Sequence, residues 1–420
     1  MSTDTTHTRQ DALTDRFLRY SAVSSQSDAS TTTVPSSEGQ RDLAHLLAAE
    51  LEAMGAADVH VSDTAVLTAR IPATADAGHA PAVGFCAHLD TADVSLSPHV
   101  NARVIEYSGG DVELNDEEAI RLDEHPELER YVGDRLLVTD GTSVLGADDK
   151  AAIAVLMEMA DGLLAGAARP HGEVYLAFVP DEEIGLRGVR TLDLDRFPVR
   201  IAYTIDSCEV GELVAETFNA AQAQVTITGV SAHPMSAKGV LVNPILVAHD
   251  VVARLDRART PEQTEGREGF VWVTGISGSQ SEASLTINIR DHDRGRFEEA
   301  KADLQRAVEE VARLHPRAGV ELQIADVYAN IAGTLTPENR GAVDLLHAVM
   351  SDLGITPIPL AMRGGTDGSW LSTQGILTPN FFTGAHNFHS PAEFLPLSSF
   401  ERSHAVAVEL VHRLAEGAGA

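Results

Sequence analysis

A histidine and an aspartate two residues apart, His88 and Asp90 in FCAHLDTAD, stand where an apolar run stops. Alternate residues of a strand point the same way, so Asp90 can orient the His88 ring while that ring binds something else. A hydrogen-bonded histidine at a strand end fits the same two residues. Downstream, LGADDK sets Asp148 and Asp149 between a glycine-containing loop and a helical pattern, a place suited to metal binding and equally to helix capping. The apolar run EVYLAFVP then gives way to Asp181, Glu182 and Glu183 in PDEEIG. Such a turn can carry acids innocently, but loops at strand ends are also where α/β enzymes assemble their sites. Asp206 closes AYTID, and His389 lies in GAHNFHSPAEF after another apolar approach, TPNFF.

Taken singly, each of these has a bland explanation. Together His88, Asp148, Glu183, Asp206 and His389 offer two imidazoles and three carboxylates, a set suited to two zinc ions that share one carboxylate.

Elements that could hold such a set are legible around it. Short β-rich runs, AVLTARI (65–71), AVGFCAH (82–88), EVYLAFVP (173–180) and RIAYTID (200–206), alternate with a helical pattern over Asp149 to Ala165. Two further helical patterns precede them, Asp11 to Val23 and Ser37 to Met54, after a polar start expected to be disordered. This alternation predicts an α/β layer fold. From about Asn219 the order becomes strand (AQVTITG), helix (Pro244 to Ala258), two strands (GFVWVTGI, EASLTINIR), helix (Arg294 to Leu314) and strand (GVELQIADV). Beyond Ala329 the first pattern resumes, with helices near Arg340 to Leu353 and Ser399 to Ala415. The expectation is a discontinuous catalytic domain, 1–217 and 329–420, interrupted by an α+β, ferredoxin-like lid or dimerisation domain, 218–328. The acidic stretch from Tyr107 to Tyr131 gives no clear pattern.

With 420 residues, 44% of them hydrophobic, the chain can bury a sizeable core. Its 62 acidic against 31 basic residues, net −31, disfavour nucleic acid and anionic membranes as partners. No run is long and apolar enough for a membrane span, and MSTDTTHTRQ has no secretory signal character, so a cytoplasmic protein is expected. Cys86 and Cys208 are read as free, buried thiols.

The sequence resembles the co-catalytic dizinc exopeptidases, a family that includes peptidase T, carboxypeptidase G and aminoacylases, and within it most resembles the peptidase T branch. The resemblance spans nearly the whole chain and rests on LLVTDGTSVLGADDKAAIA, VPDEEIG, VGELVAETFNAA, SAHPMSAKGVLVN, INIRDHDRGRFEEAK and MRGGTDG, besides the two histidine motifs. It implies a zinc-exopeptidase-like mixed-sheet domain and a tripeptide aminopeptidase with two Zn2+ per subunit, Mn2+ or Co2+ being possible substitutes. Asp148 would bridge, with His88 and Asp206 on one zinc and Glu183 and His389 on the other. Asp90 would support His88, and Glu182 would be the general base that takes a proton from the water between the cations. The Asp148–Asp149 peptide would be cis, and Asp at 206 rather than Glu points to the aminopeptidase branch. His233 in SAHP would donate to the substrate carbonyl oxygen, and Arg290 and Arg363 would grip the peptide C-terminal carboxylate. From spacing alone, a surface histidine and structural salt bridges are the competing readings for these three. Short peptides as substrate and a homodimer through the lid are also implied.

The sequence departs from the family at HNFHSPAEF, where YNYHGKHEF is expected. His386 creates an HxxH pairing there, so His386 is an alternative ligand to His389. Asp367 is a candidate for the substrate ammonium. A dipeptidase or an N-acyl amino acid hydrolase of the same family, and a non-catalytic metal-binding scaffold, are the competing functions.

Overall fold

The computed structural model describes residues 3–166 and 169–417. It divides into two compact units, each with its own core.

The first unit comprises the chain up to Ala215, Thr334–Leu360 and the chain from Thr366 onward. It opens with α1 (Thr3–Ser21) and α2 (Glu38–Met54). The polar start, expected to be disordered, is thus helical from Thr3. Leu13, Phe17 and Tyr20 are fully buried and anchor that helix, and helix propagation extends it backward at little cost per residue. Strands β1 (Ala57–Val61), β2 (Leu67–Ile71) and β3 (Val83–His88) follow, then β4 (Arg103–Glu106), β5 (Val112–Glu113), β6 (Ala119–Ile120) and β7 (Arg135–Val138). The stretch without a clear pattern therefore folds as short strands and a 3₁₀ turn, Pro126–Tyr131, around its own core of Tyr107, Ile120, Leu128, Leu136 and Phe394. Next come α3 (Ala147–Leu164), β8 (Val174–Val179), β9 (Ala202–Ser207) and β10 (Glu212–Glu216).

Helix α3 is apolar nearly all round, ADDKAAIAVLMEMADGLL, and packs on β3 and β9 with α1, α2 and α8 (Leu397–Ala415) against it. That explains why it lacks a strong amphipathic pattern. Every residue of β3 is buried, as a strand inside a parallel sheet requires.

The second unit comprises Glu216–Gly333 and Ala361–Gly365. Its elements are β11 (Asn219–Thr228), α4 (Pro244–Val252), β12 (Phe270–Gly278), β13 (Glu282–Asp291), α5 (Arg294–Leu314) and β14 (Gly319–Tyr328). The sheet runs β12-β13-β11-β14, antiparallel throughout, which is the ferredoxin-like arrangement. Strand β13 alternates buried and half-exposed residues, and α5 buries Phe297, Ala300, Leu304, Val308 and Val311 at helical spacing. Sequence alone drew this unit at 218–328. Bonds from Met362 N–H to the Glu216 carbonyl (2.9 Å) and from Phe218 N–H to the Gly364 carbonyl (3.0 Å) draw 361–365 into it.

The chain closes with α6 (Gly341–Asp352), β15 (Ile358–Ala361), α7 (Asp367–Thr373), β16 (Asn380–Phe382), β17 (Phe394–Pro396) and α8. The large sheet has the order β1-β2-β8-β3-β9-β16-β10-β15, with β8, β3, β9 and β16 mutually parallel, β1 antiparallel to β2, β2 antiparallel to β8, and β10 antiparallel to β16. Strands β17, β7 and β4 form a smaller sheet. No helix among the described residues is long and apolar enough to cross a membrane.

Candidate metal centre

The four parallel strands deliver the chemistry from one edge. His88 is the last residue of β3, Asp181 to Glu183 follow β8, Asp206 is near the end of β9, and the loop bearing His389 follows β16. The carboxyl ends of parallel strands are where α/β folds place ligands. Pairing sets His88 opposite Val179, two residues before Asp181.

Asp148 sits at the centre. Its Oδ1 is 2.8 Å from His88 Nε2, and its Oδ2 is 3.0 Å from His389 Nε2. His389 Nε2 is also 2.8 Å from Glu183 Oε1. Two donor groups result: His88, Asp148, Asp149 and Asp206, whose ligand atoms lie within 4.8 Å of one another, and Asp148, Glu183 and His389, likewise within 4.8 Å. Asp148 belongs to both. The first group is buried save for a half-buried Asp206, whereas in the second Glu183 is half-buried and His389 exposed.

The loop ahead of α3 is shaped for this. Gly146 adopts φ +71°, and a Cβ there would lie 2.9 Å from the Thr91 methyl. Asp148 and Asp149 have non-helical backbone angles and the peptide between them is cis, as the resemblance implied. Glu393, four residues beyond His389 and buried, accepts the N–H groups of Gly146 (2.9 Å), Ala147 (2.8 Å) and Asp148 (3.4 Å). The two loops that carry Asp148 and His389 are tied to each other through that one carboxylate.

Asp90 is fully buried and accepts the N–H groups of Glu182 (3.0 Å) and Glu183 (3.2 Å), while His88 Nδ1 faces the Asp90 carbonyl at 3.1 Å and its Oδ1 at 3.5 Å. It therefore fixes the histidine ring and the acidic turn together. Asp181 points elsewhere: its carboxylate takes the Ser36 hydroxyl (2.5 Å) and the Gln40 amide (2.8 Å), pinning the turn to α2. Asp206 is held by Asn380, which accepts its N–H (2.7 Å) and donates to its carbonyl (2.8 Å).

Charge explains what this set can hold. Burial first, then crowding by neighbouring carboxylates, raises Glu182, Glu183, Asp149 and Asp206 above the usual carboxyl range. Burial disfavours imidazolium at His389, but its bonds to Asp148 and Glu183 hold it up at about 11. Burial also opposes ionisation of Asp148, yet the two histidines bring it below its ordinary value. Such an excess of negative charge in a low-dielectric site is what divalent cations neutralise, and the oxygen and imidazole donors suit zinc, manganese or cobalt. The buried Oδ1 of Asp149 has no hydrogen-bond partner among the described residues.

The remaining expected residues are distributed as follows. His386 is buried, bonded to the Tyr131 hydroxyl (2.8 Å) and stacked on Phe394 at 4.8 Å, so of the HxxH pair His389 is the one that faces the acids. Asp367 is buried at the start of α7, its Oδ1 without a hydrogen-bond partner among the described residues; burial pushes it up to about 7. His233, Arg290 and Arg363 belong to the second unit. His233 is exposed, its Nδ1 accepting the Met235 N–H at 3.2 Å. Arg290 lies 5.7 Å from the Tyr328 ring centre. Arg363 donates to the Gly266 and Glu268 carbonyls and to Thr264 Oγ1, between the rings of Phe218 and Phe270. Cys86 is buried and free, whereas Cys208, expected buried, is free but only partly buried, in the loop that follows β9. Sequence reading passed over Asn380 and did not use Lys150, whose ammonium is fully buried and donates to the Val23 carbonyl at 2.9 Å. A lysine in so apolar a helix is the signal that could have found it.

Peptidase family M20/M25/M40 matches residues 145–413. The chain belongs to this family. Among its M20 relatives, a Peptidase T-like protein of Yersinia pestis is 51% identical over 394 residues, covering 93% of this chain and 95% of that protein. Peptidase T of Geobacillus kaustophilus is 42% identical, covering 95% and 97%. In solved structures the M20 fold recurs in aminopeptidase PepT from Bacillus cereus (TM-score 0.73, 21% identity, 97% and 99% covered) and in a tripeptidase from Staphylococcus aureus (TM-score 0.75, 22% identity, 97% and 99% covered). At those identities the structures speak to the fold, and this M20 chain shares it across nearly its full length.

Proposed function

We propose that this chain is a metal-dependent aminopeptidase that releases the N-terminal residue from tripeptides. The observation that carries the reading is Asp148, whose two oxygens face His88 and His389 in two separate donor groups. The relatives named Peptidase T support the substrate class. In this reading His88, Asp148 and Asp206 hold one Zn2+, and Asp148, Glu183 and His389 hold a second. When bound, the pair acidifies a water enough to give hydroxide near neutral pH and polarises the scissile carbonyl.

The chain's own residues do the rest. Glu182, buried beside the cluster with a raised proton affinity, takes the water's proton and returns it to the leaving amine. Asp90 keeps that step aligned by holding the Glu182 and Glu183 backbone and the His88 ring. His233 is assigned to the carbonyl oxygen, and Arg290 and Arg363 to the substrate carboxylate. For Arg363 the role is limited by three donations already made within its own unit. The second unit, with Met235, Val240, Leu241, Ile245 and Leu246 exposed along one stretch, is assigned as a lid through which two copies pair. The free thiols of Cys86 and Cys208 suit a reducing cytoplasm.

The test is an assay of purified protein with chelator, and after zinc is restored, on a free tripeptide, its N-acetyl form and a dipeptide. Chelator-sensitive release of the first residue from the free tripeptide alone is expected. Cleavage of the acetylated form or the dipeptide would replace this reading with an N-acyl amino acid hydrolase or a dipeptidase.

A further inference from the structure

The five ligands assigned above leave one buried acid of the cluster unexplained. Asp149 is 1% exposed and its ligand atom lies within 4.8 Å of those of His88, Asp148 and Asp206. One of its oxygens, Oδ2, accepts the His88 backbone N–H at 3.1 Å. The other, Oδ1, is buried and has no hydrogen-bond partner among the described residues. A carboxylate oxygen left so is costly in a protein interior unless a cation meets it. The backbone bond also fixes where the carboxylate lies relative to the ring on the same residue, because His88 presents N–H and imidazole from one strand end.

We infer that Asp149 is a further protein donor to the cation held by His88 and Asp206, a role outside the two-plus-two-plus-bridge assignment. The inference rests on the two-cation reading and makes the positions unequal. One has four protein groups, three of them buried; the other has three, among them the half-buried Glu183 and the exposed His389. The His88 position therefore binds its cation more tightly, and the His389 position is the one that exchanges with solvent.

The experiment titrates metal-free full-length protein with Co2+, following the visible d–d bands, and with Zn2+ in a calorimeter. Wild type, Asp149→Asn and His389→Ala are compared. Asparagine keeps an acceptor for the His88 N–H and removes the charge. Wild type should show two phases. Asp149→Asn should weaken the tighter phase at least about tenfold and alter its bands while sparing the weaker one, and His389→Ala should do the reverse. Two phases with wild-type affinities and bands in Asp149→Asn would overturn the inference while leaving the two-cation reading standing. Uptake of no cation by wild type would overturn both. Melting temperatures supply a second readout: the gap between Zn2+-loaded and metal-free protein should shrink in Asp149→Asn, whereas an unchanged gap would mean that Asp149 only props the fold.

Discussion

Glu182 and Glu183 are neighbours with different tasks, and the difference lies in what each carboxylate faces. Glu183 reaches His389 at 2.8 Å, while Glu182 has its backbone tied to Asp90 and its buried side chain beside Asp367 and the cluster. Glu182→Ala should therefore bind metal as wild type does and lose at least about a hundredfold in turnover, since proton transfer is worth roughly that much. Metal analysis beside steady-state rates checks it; wild-type turnover would remove Glu182 from the reaction. Asp148→Ala should instead strip both positions, because one side chain serves the two groups. Two equivalents of tightly bound metal in that variant would end the bridging role. Glu182 and Glu183 were visible in the sequence because an apolar run breaks there into acids, and Asp148 because an acidic pair stands between a glycine-containing loop and a helical pattern. Asn380 was not: an amide within a short apolar strand carries no such contrast, and its task, bonding both backbone groups of Asp206, exists only once β9 and β16 are paired.

Between the residues and the fold stand the loops, and two carboxylates with no assigned part in the chemistry hold them. Glu393 gathers three N–H groups from the loop of Asp148, and Asp181 gathers Ser36 and Gln40. Glu393→Gln keeps the shape but sets an NH2 group against N–H donors, so it should cost about 2 kcal/mol of stability and weaken zinc binding. Urea unfolding with calorimetric zinc titration measures both, and a variant matching wild type in each would mean that the loops find their places without the clasp. Strands and long helices were legible from period alone, as in β13 and α5. The 107–131 stretch was not, since its strands β5 and β6 are two residues long and its core borrows Phe394 from far along the chain. Helix α3 shows the converse: buried on nearly all sides, it has no polar face to announce its orientation, yet its position after the acidic pair was evident.

For the whole molecule, acid sensitivity has a source outside the metal groups. His404 on α8 is buried, and neither ring nitrogen has a hydrogen-bond partner among the described residues. Burial, aided by the charge of Arg9, depresses its pKa from 6.5 to about 3. The folded chain therefore keeps this ring neutral where the unfolded chain protonates it, so unfolding takes up a proton between those two values. Stability from this group is intact above pH 6.5 and falls as the pH drops toward 3. At about pH 5 the loss amounts to roughly 2 kcal/mol, an upper figure for a site that water can partly reach on opening. His404→Phe removes the titration at similar volume. In chelator-treated protein, where metal loss cannot contribute, its melting temperature should fall less than that of wild type between about pH 7.5 and about pH 5. Equal falls in the two proteins would place the acid sensitivity in groups other than His404, and not in the crowded carboxyls of the cluster, whose protonation relieves charge and stabilises the metal-free fold as the pH drops.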